Sequence, residues 1–261
     1  PAARAGLKCG DQIIMIDGDS VASLKSAEVS KRLKGQANTQ IKVTIKRPYT
    51  TDSIKTFTFT REKIKLSPVT YYGVTKDNIG YIALNTYNEH SAEDVKKALL
   101  EFKANPAVKA VVLDLCGNGG GLVDVTCNIL DQLLPEGLIV YTEDKNGERQ
   151  EEYSDAEHYF DGKMAVLVNG NSASASEIFA GAIKDYGVGT LIGTQTFGKG
   201  IVQSLFPLSD GSAIKITVSR YYTPAGNNIH GVGITPNIIL ERDTESEEDN
   251  QLQKAMEVLS E

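Results

Sequence analysis

The sequence predicts an α/β protein in which a core of alternating strands and helices follows a smaller module of short strands and one helix. From about residue 75, apolar runs of strand length alternate with amphipathic helical segments, a pattern typical of helices packed over a sheet. Before residue 62, short segments with period-two alternation are separated by turn residues. We therefore divide the chain into a first module (1–61), a core (62–243) and an acidic tail with a short helix (244–261).

The first module contains three predicted strands and one helix. Turn residues bound the first strand, and Leu24, Val29 and Leu33 recur at roughly helical spacing after it. The predicted elements are strands at Asp11–Asp17, Ile41–Lys46 and Lys55–Thr60 and a helix at Leu24–Leu33.

The core contains the longer apolar and amphipathic segments. Ser91 is the predicted N-cap of its first helix, because acidic residues follow it in the first turn. Strands are predicted at Ile79–Leu84, Val108–Leu115, Met164–Val168, Thr190–Gly193 and Ser212–Val218. Helices are predicted at Ser91–Phe102, from the Gly-rich loop through Leu134, at Ser174–Tyr186 and at Leu252–Leu259.

Composition and charge exclude several classes of function. A formal net charge of −7 argues against phosphate-tracking nucleic-acid binding, which needs a basic surface. The three cysteines, Cys9, Cys116 and Cys127, have no metal-ligand spacing, so we expect no disulfide framework, metal or cofactor. No apolar run is long enough to span a bilayer. The chain opens at Pro1 without a Met, so we expect any targeting segment upstream of it.

Two segments carry candidate chemistry. In the first, a strand ends at Val168 and a small-residue loop containing Ser172, Ser174 and Ser176 leads into a helix. Free backbone N–H groups at a helix start can stabilise a developing oxyanion, so a nucleophile is favoured there. The alternative is a simple helix cap, since Ser174 and Glu177 have capping-box spacing.

In the second segment, Lys199 lies between two glycines in a loop after a strand. Glycines there let the backbone approach another element closely, although a solvated surface lysine fits the pattern as well. None of the three histidines, His90, His158 and His230, lies in a Gly-rich motif beside a strand end, and His230 remains open as a base.

Taken together, these segments resemble the C-terminal processing peptidases, or tail-specific proteases. The first residues are similar to the second half of a bacterial PDZ domain, whose carboxylate-binding loop and strand would precede Pro1. The segments that carry the resemblance are Pro1–Gly18, the Gly-rich loop after Leu113–Leu115, Ser172–Glu177, Phe197–Gly200 and Gly231–Pro236. The resemblance implies a crotonase/ClpP-like sheet-and-helix core after a partial PDZ domain with an incomplete peptide groove.

The resemblance also implies roles for five residues. Ser174 would be the nucleophile, Lys199 the general base and Gln203 the residue that orients the amine, while the backbone N–H groups of Gly120 and Ala175 would form the oxyanion hole. A lysine amine accepts a proton only in its neutral form, which burial favours. The family usually has Arg-x-Asn-Pro-Gly-Gly where this chain has Cys-Gly-Asn-Gly-Gly-Gly, which puts the rigidity of the hole in question.

The expected substrates are proteins or peptides with loosely structured, apolar C-terminal tails. By resemblance, the location would be extracytoplasmic, with a membrane anchor upstream and homo-oligomer formation left open. Two alternatives are a catalytically silent binding protein on the same fold and a crotonase-like acyl-CoA enzyme. The serine, lysine and glutamine present together favour the endopeptidase over both.

Overall fold

The computed structural model describes residues 1–8, 10–48, 53–64, 67–155, 160–246 and 248–261, so Cys9 and His158 lie outside the described residues. The chain forms two compact units, Pro1–Leu66 and Ser67–Glu261. The first unit ends a few residues later than the boundary drawn from the sequence. The tail drawn separately as residues 244–261 belongs to the second unit.

The first unit is a four-stranded antiparallel sheet with one helix. The sequence predicts the helix and three of these strands but not the two-residue strand Asp19–Ser20. The sheet order is β2-β1-β3-β4. Alternation along β3 buries Ile41, Val43 and Ile45, which form the centre of its small apolar core. The elements are β1 (Gln12–Ile16), β2 (Asp19–Ser20), α1 (Ser26–Leu33), β3 (Gln40–Lys46) and β4 (Ile54–Thr60).

The second unit is built around a six-stranded sheet with the order β14-β11-β10-β7-β6-β5, parallel except for the β5–β6 pair. Central strands β7 and β10 are apolar nearly throughout, as strands covered on both faces must be. The strands are β5 (Val69–Val74), β6 (Ile79–Leu84), β7 (Ala110–Asp114), β10 (Lys163–Val168), β11 (Thr190–Gly193) and β14 (Ile238–Ile239).

A second, antiparallel sheet of four strands belongs to the same unit, with the order β12-β13-β8-β9. Of these strands, the sequence analysis found only part of β13. The strands are β8 (Gly137–Asp144), β9 (Arg149–Ser154), β12 (Ile201–Pro207) and β13 (Ala213–Tyr222).

Four helices cover the two faces of the six-stranded sheet. The larger apolar cluster includes residues of α2, α3 and α4, whereas the smaller cluster on the other face includes Ala255 and Leu259 of α5. Among the described residues, no helix is both long and apolar enough to cross a membrane. The helices are α2 (Ser91–Ala104), α3 (Val123–Leu130), α4 (Ala175–Tyr186) and α5 (Asn250–Ser260).

The start of α2 differs from the sequence-based expectation. Its N-cap residue is His90, with no side-chain cap, and Ser91 is the first helical residue. The Ser91 hydroxyl is buried, donates to the Thr86 carbonyl and accepts the Asn88 N–H at 2.8 Å. Because this hydroxyl bonds the preceding loop, it stabilises the loop rather than the first turn.

The parallel strands place three loops at one edge of the sheet. β7, β10 and β11 are neighbours, and their carboxyl ends lie side by side. The Gly-rich loop (115–122) follows β7, the serine loop (169–174) follows β10 and the lysine loop (194–200) follows β11. Loops at the carboxyl ends of parallel strands are the usual place for a site in such sheets.

The contact between β6 and α2 gives a test of the core. A Cβ at Gly80 would lie 2.5 and 2.6 Å from two ring carbons of Phe102, which is 2% exposed. We expect Gly80→Ala to lower the free energy of unfolding by about 1–3 kcal/mol in urea titrations, because the Phe102 ring must move.

In a Phe102→Leu background, Gly80→Ala should lower the free energy of unfolding by less. Gly170→Ala is the control, since its Cβ would meet its nearest neighbour at 3.8 Å. Equal losses in both backgrounds would contradict the contact.

Candidate active site

The turn between β10 and α4 holds Ser174 in an unusual backbone conformation. Ser174 is the N-cap of α4 and has φ 57° and ψ −114°. A residue with a side chain adopts such a conformation only where the surrounding structure enforces it, and such residues cluster at functional sites. Its N–H donates to the Glu177 carboxylate, as in the predicted capping box, but its side chain makes no cap hydrogen bond.

The structure places the three serines of this segment in different environments, and Ser174 is the one that the resemblance singles out. Ser172 and Ser176 are both fully buried. The Ser172 hydroxyl donates to the Leu115 carbonyl at 2.7 Å, and the Ser176 hydroxyl donates to the Asn118 carbonyl at 2.9 Å. These two serines fasten the turn to the Gly-rich loop, whereas Ser174, between them, is only half-buried.

A buried carboxylate joins the serine loop to the lysine loop. Glu177 is completely buried, and its Oε2 accepts the backbone N–H groups of both Ser174 and Lys199 at 2.8 Å. Its Oε1 accepts the Gly198 N–H and the Thr196 hydroxyl, each at 2.6 Å. The sequence analysis noted Glu177 only as a capping-box residue, and that local signal could not reveal its bonds to the second loop.

The glycines beside Lys199 allow the close approach of the backbone to another element that the sequence predicts. A Cβ at Gly200 would collide with the backbone nitrogen of His230, and one at Gly198 would lie 3.3 Å from the nitrogens of Val232 and Gly233. The lysine loop therefore packs directly on this neighbouring segment. His230 itself is exposed.

The Gly-rich loop packs equally closely on the turn that contains Ser174. At Gly120, where φ is +100°, a Cβ would lie 2.7 Å from the Ala173 carbonyl oxygen and 2.9 Å from the Ser174 Cβ. Only glycine fits this position without moving the serine. The Gly120 N–H donates to Asn118 Oδ1 at 2.9 Å. The Ala175 N–H, in the first turn of α4, has no acceptor in the part of the chain that the structure describes.

The side chains of Lys199, the expected base, and Gln203, its expected orienting residue, are held by fewer bonds than these backbone groups. Lys199 is half-buried, and within the described ranges its amine makes no hydrogen bond or ion pair. Gln203 is exposed on β12, and its amide donates to the Thr217 hydroxyl at 3.5 Å. The structure thus brings together Gly120, Ser174 and Ala175, fixes the backbone of Lys199 beside them, and leaves Gln203 directed elsewhere.

The surroundings of Cys116 and Cys127 do not favour a thiolate nucleophile. Burial raises the pKa of the Cys127 thiol to about 12 and raises the pKa of Cys116 above its ordinary value, so both remain protonated thiols. No group of His, Cys, Asp and Glu side chains suited to a metal ion occurs among the described residues.

Comparisons with known proteins agree with this arrangement. The model of peptidase family S41 matches residues 78–240, and a PDZ domain model matches residues 1–47. A carboxyl-terminal-processing protease of Synechocystis sp. is 38% identical over 269 residues, covering 100% of this chain and 62% of that protein. A chloroplastic C-terminal processing peptidase of Tetradesmus obliquus is 36% identical over 255 residues, covering 92% of this chain and 54% of that protein.

The fold agrees as well. The solved structure of a photosystem II D1 C-terminal processing protease, 33% identical, matches with a TM-score of 0.65 over 100% of this chain and 70% of that chain. The chain spans between about half and two thirds of the length of the curated relatives it matches. The resemblance drawn from its motifs is confirmed, and the chain belongs to peptidase family S41.

Proposed function

We propose that the chain carries the active site of a serine endopeptidase of the carboxyl-terminal-processing kind, with Ser174 as nucleophile and Lys199 as general base. One observation carries this proposal. A single oxygen, Glu177 Oε2, accepts the backbone N–H groups of both Ser174 and Lys199. A buried carboxylate that holds the backbones of these two residues beside each other supports a Ser/Lys dyad, since nucleophile and base must lie within reach of each other.

The chemistry follows from the geometry. Ser174 would attack the peptide carbonyl while the Lys199 amine takes its proton, giving an acyl-enzyme that water resolves. The free N–H of Ala175 and the Gly-rich loop would stabilise the oxyanion. Because the amine makes no bond among the described residues, it can rotate toward the serine without breaking an existing partner. Gln203 would orient the amine after leaving Thr217.

Substrates follow from the family and from the first unit. The relatives are named for processing carboxyl termini, and we propose protein substrates with loosely structured, apolar tails. A PDZ module captures an extended peptide by adding it to a sheet edge, so the PDZ unit would select and regulate such substrates. Chloroplastic and bacterial relatives are compatible with an extracytoplasmic location.

A catalytically silent binding protein on the same fold is the second candidate. The exposed Gln203 amide, which bonds Thr217 rather than Lys199, favours it. Measuring turnover separates the two candidates.

The first prediction concerns the dyad. Wild type incubated with a reduced, alkylated protein that has an apolar C-terminal tail should produce internal cuts, detected by mass spectrometry. Ser174→Ala and Lys199→Ala should each reduce cutting by at least about 10³-fold, because loss of either residue of a catalytic dyad disables the same step.

The controls for this prediction are Ser212→Ala in the β12–β13 turn and Lys184→Ala, whose amine donates to the Thr235 carbonyl. Both should cut like wild type. Retained turnover in Lys199→Ala would rule out the dyad. Intact substrate with every variant, wild type included, would favour the binding protein.

The second prediction concerns Glu177. In Glu177→Gln one acceptor oxygen becomes an NH₂ donor, so two of its four hydrogen bonds are lost although the shape is kept. We expect kcat to fall by about 10²-fold or more, because the dyad loses its alignment. The matched control is Asp249→Ala, which removes the carboxylate cap of α5. It should lower Tm without lowering kcat. Similar kcat losses in the two variants would argue against a positioning role for Glu177.

A further inference from the structure

Asn118, in the Gly-rich loop between β7 and α3, is completely buried and uses both ends of its side chain. Its Nδ2 donates to the Leu84 carbonyl at the end of β6, at 2.8 Å. Its Oδ1 accepts the Gly120 N–H at 2.9 Å. The amide therefore links the sheet to the glycine that packs against the nucleophile.

The backbone of Asn118 is joined to the nucleophile turn. Its carbonyl oxygen accepts the Ala173 N–H at 3.0 Å and the Ser176 hydroxyl at 2.9 Å. These two donors flank Ser174 in the sequence. One residue thus contacts three parts of the site: the end of β6, the Gly-rich loop and the serine loop.

Gly120 is held on its other side too. Its carbonyl oxygen accepts the Tyr87 N–H and the Thr86 hydroxyl, each at 3.2 Å. With its N–H on Asn118 and its carbonyl on this segment, Gly120 has little freedom to shift relative to Ser174. Oxyanion stabilisation depends on donors that are already in place when the charge develops.

We propose that Asn118 is a positioning residue that sets the oxyanion-hole loop against Ser174, acting through Gly120. This inference rests on the proposed endopeptidase function. The amide oxygen of Asn118 is neutral, so a developing oxyanion is the stronger acceptor and can share the Gly120 N–H without any movement of Gly120. Before the oxyanion forms, Asn118 holds the Gly120 N–H in a fixed orientation, so that water does not become its acceptor.

The test compares Asn118→Ala with Ser172→Ala, which removes an equally buried side-chain hydrogen bond, to the Leu115 carbonyl, without touching Gly120. We expect Asn118→Ala to lower kcat by about 10²-fold or more with KM changed by less than about 3-fold, as for loss of an oxyanion donor. Its affinity for a peptide boronate, which forms a tetrahedral adduct with the serine, should fall by a similar factor. Ser172→Ala should lower Tm comparably while kcat falls much less. Equal kcat losses in the two variants, or an unchanged boronate affinity, would overturn the proposal.

Asn118→Asp, which keeps the shape, covers the case in which the alanine variant does not fold. Its ionised carboxylate would lose the bond to the Leu84 carbonyl and repel the oxyanion, and protonation would reverse both effects. The ratio of its kcat to that of wild type should therefore rise as pH falls. A ratio that stays constant with pH contradicts the proposal.

Amide hydrogen exchange at Gly120 separates a failure of this inference from a failure of the proposed function. The Gly120 N–H should be protected in wild type and in Ser172→Ala but exchange much faster in Asn118→Ala, whether or not the protein cleaves peptides. Equal protection in all three proteins would overturn the role of Asn118. Protection lost only in Asn118→Ala, without turnover by wild type, would instead count against the endopeptidase.

Discussion

The geometry of the site depends on the buried carboxylate of Glu177. A carboxylate taken out of water costs several kcal/mol unless hydrogen bonds replace its hydration. Glu177 receives four, three from backbone N–H groups and one from a hydroxyl, and it lies in the first turn of α4, where the helix dipole favours negative charge. The bonds that stabilise the charge also join the serine loop to the lysine loop. Loss of these bonds would therefore destabilise the buried acid and misalign the two loops together.

The sheet topology explains why one side chain can do this. β11, β10 and β7 are adjacent and parallel, and each is followed by one of the three loops. Glu177, just after the middle loop, can reach the lysine loop on one side. On the other side, Ser172 and Ser176 bond the Gly-rich loop. The serine loop is thus fastened to both neighbours, which can hold Ser174 in its strained conformation.

Much of this arrangement could be predicted from the sequence. Buried strands such as β7 and β10 appear as apolar runs, and α4 is marked by its capping box. β9, by contrast, carries the polar residues Arg-Gln-Glu-Glu-Tyr-Ser and is exposed over nearly its whole length, so no alternation marks it. The buried bonds of Glu177 and Asn118 join residues distant in sequence, and only the fold shows them.

Backbone and side chains contribute differently to this site. Glycines, a strained serine and buried hydrogen bonds fix the backbone positions of Gly120, Ser174 and Lys199. The lysine amine, at the end of a flexible four-carbon stem, has no partner among the described residues that would fix its torsions. Because the backbone framework already sets the separation of the two loops, side-chain rotation alone can bring the amine toward the serine. Since this framework fixes the backbone of Lys199, the position of its amine depends on the torsions of its own side chain.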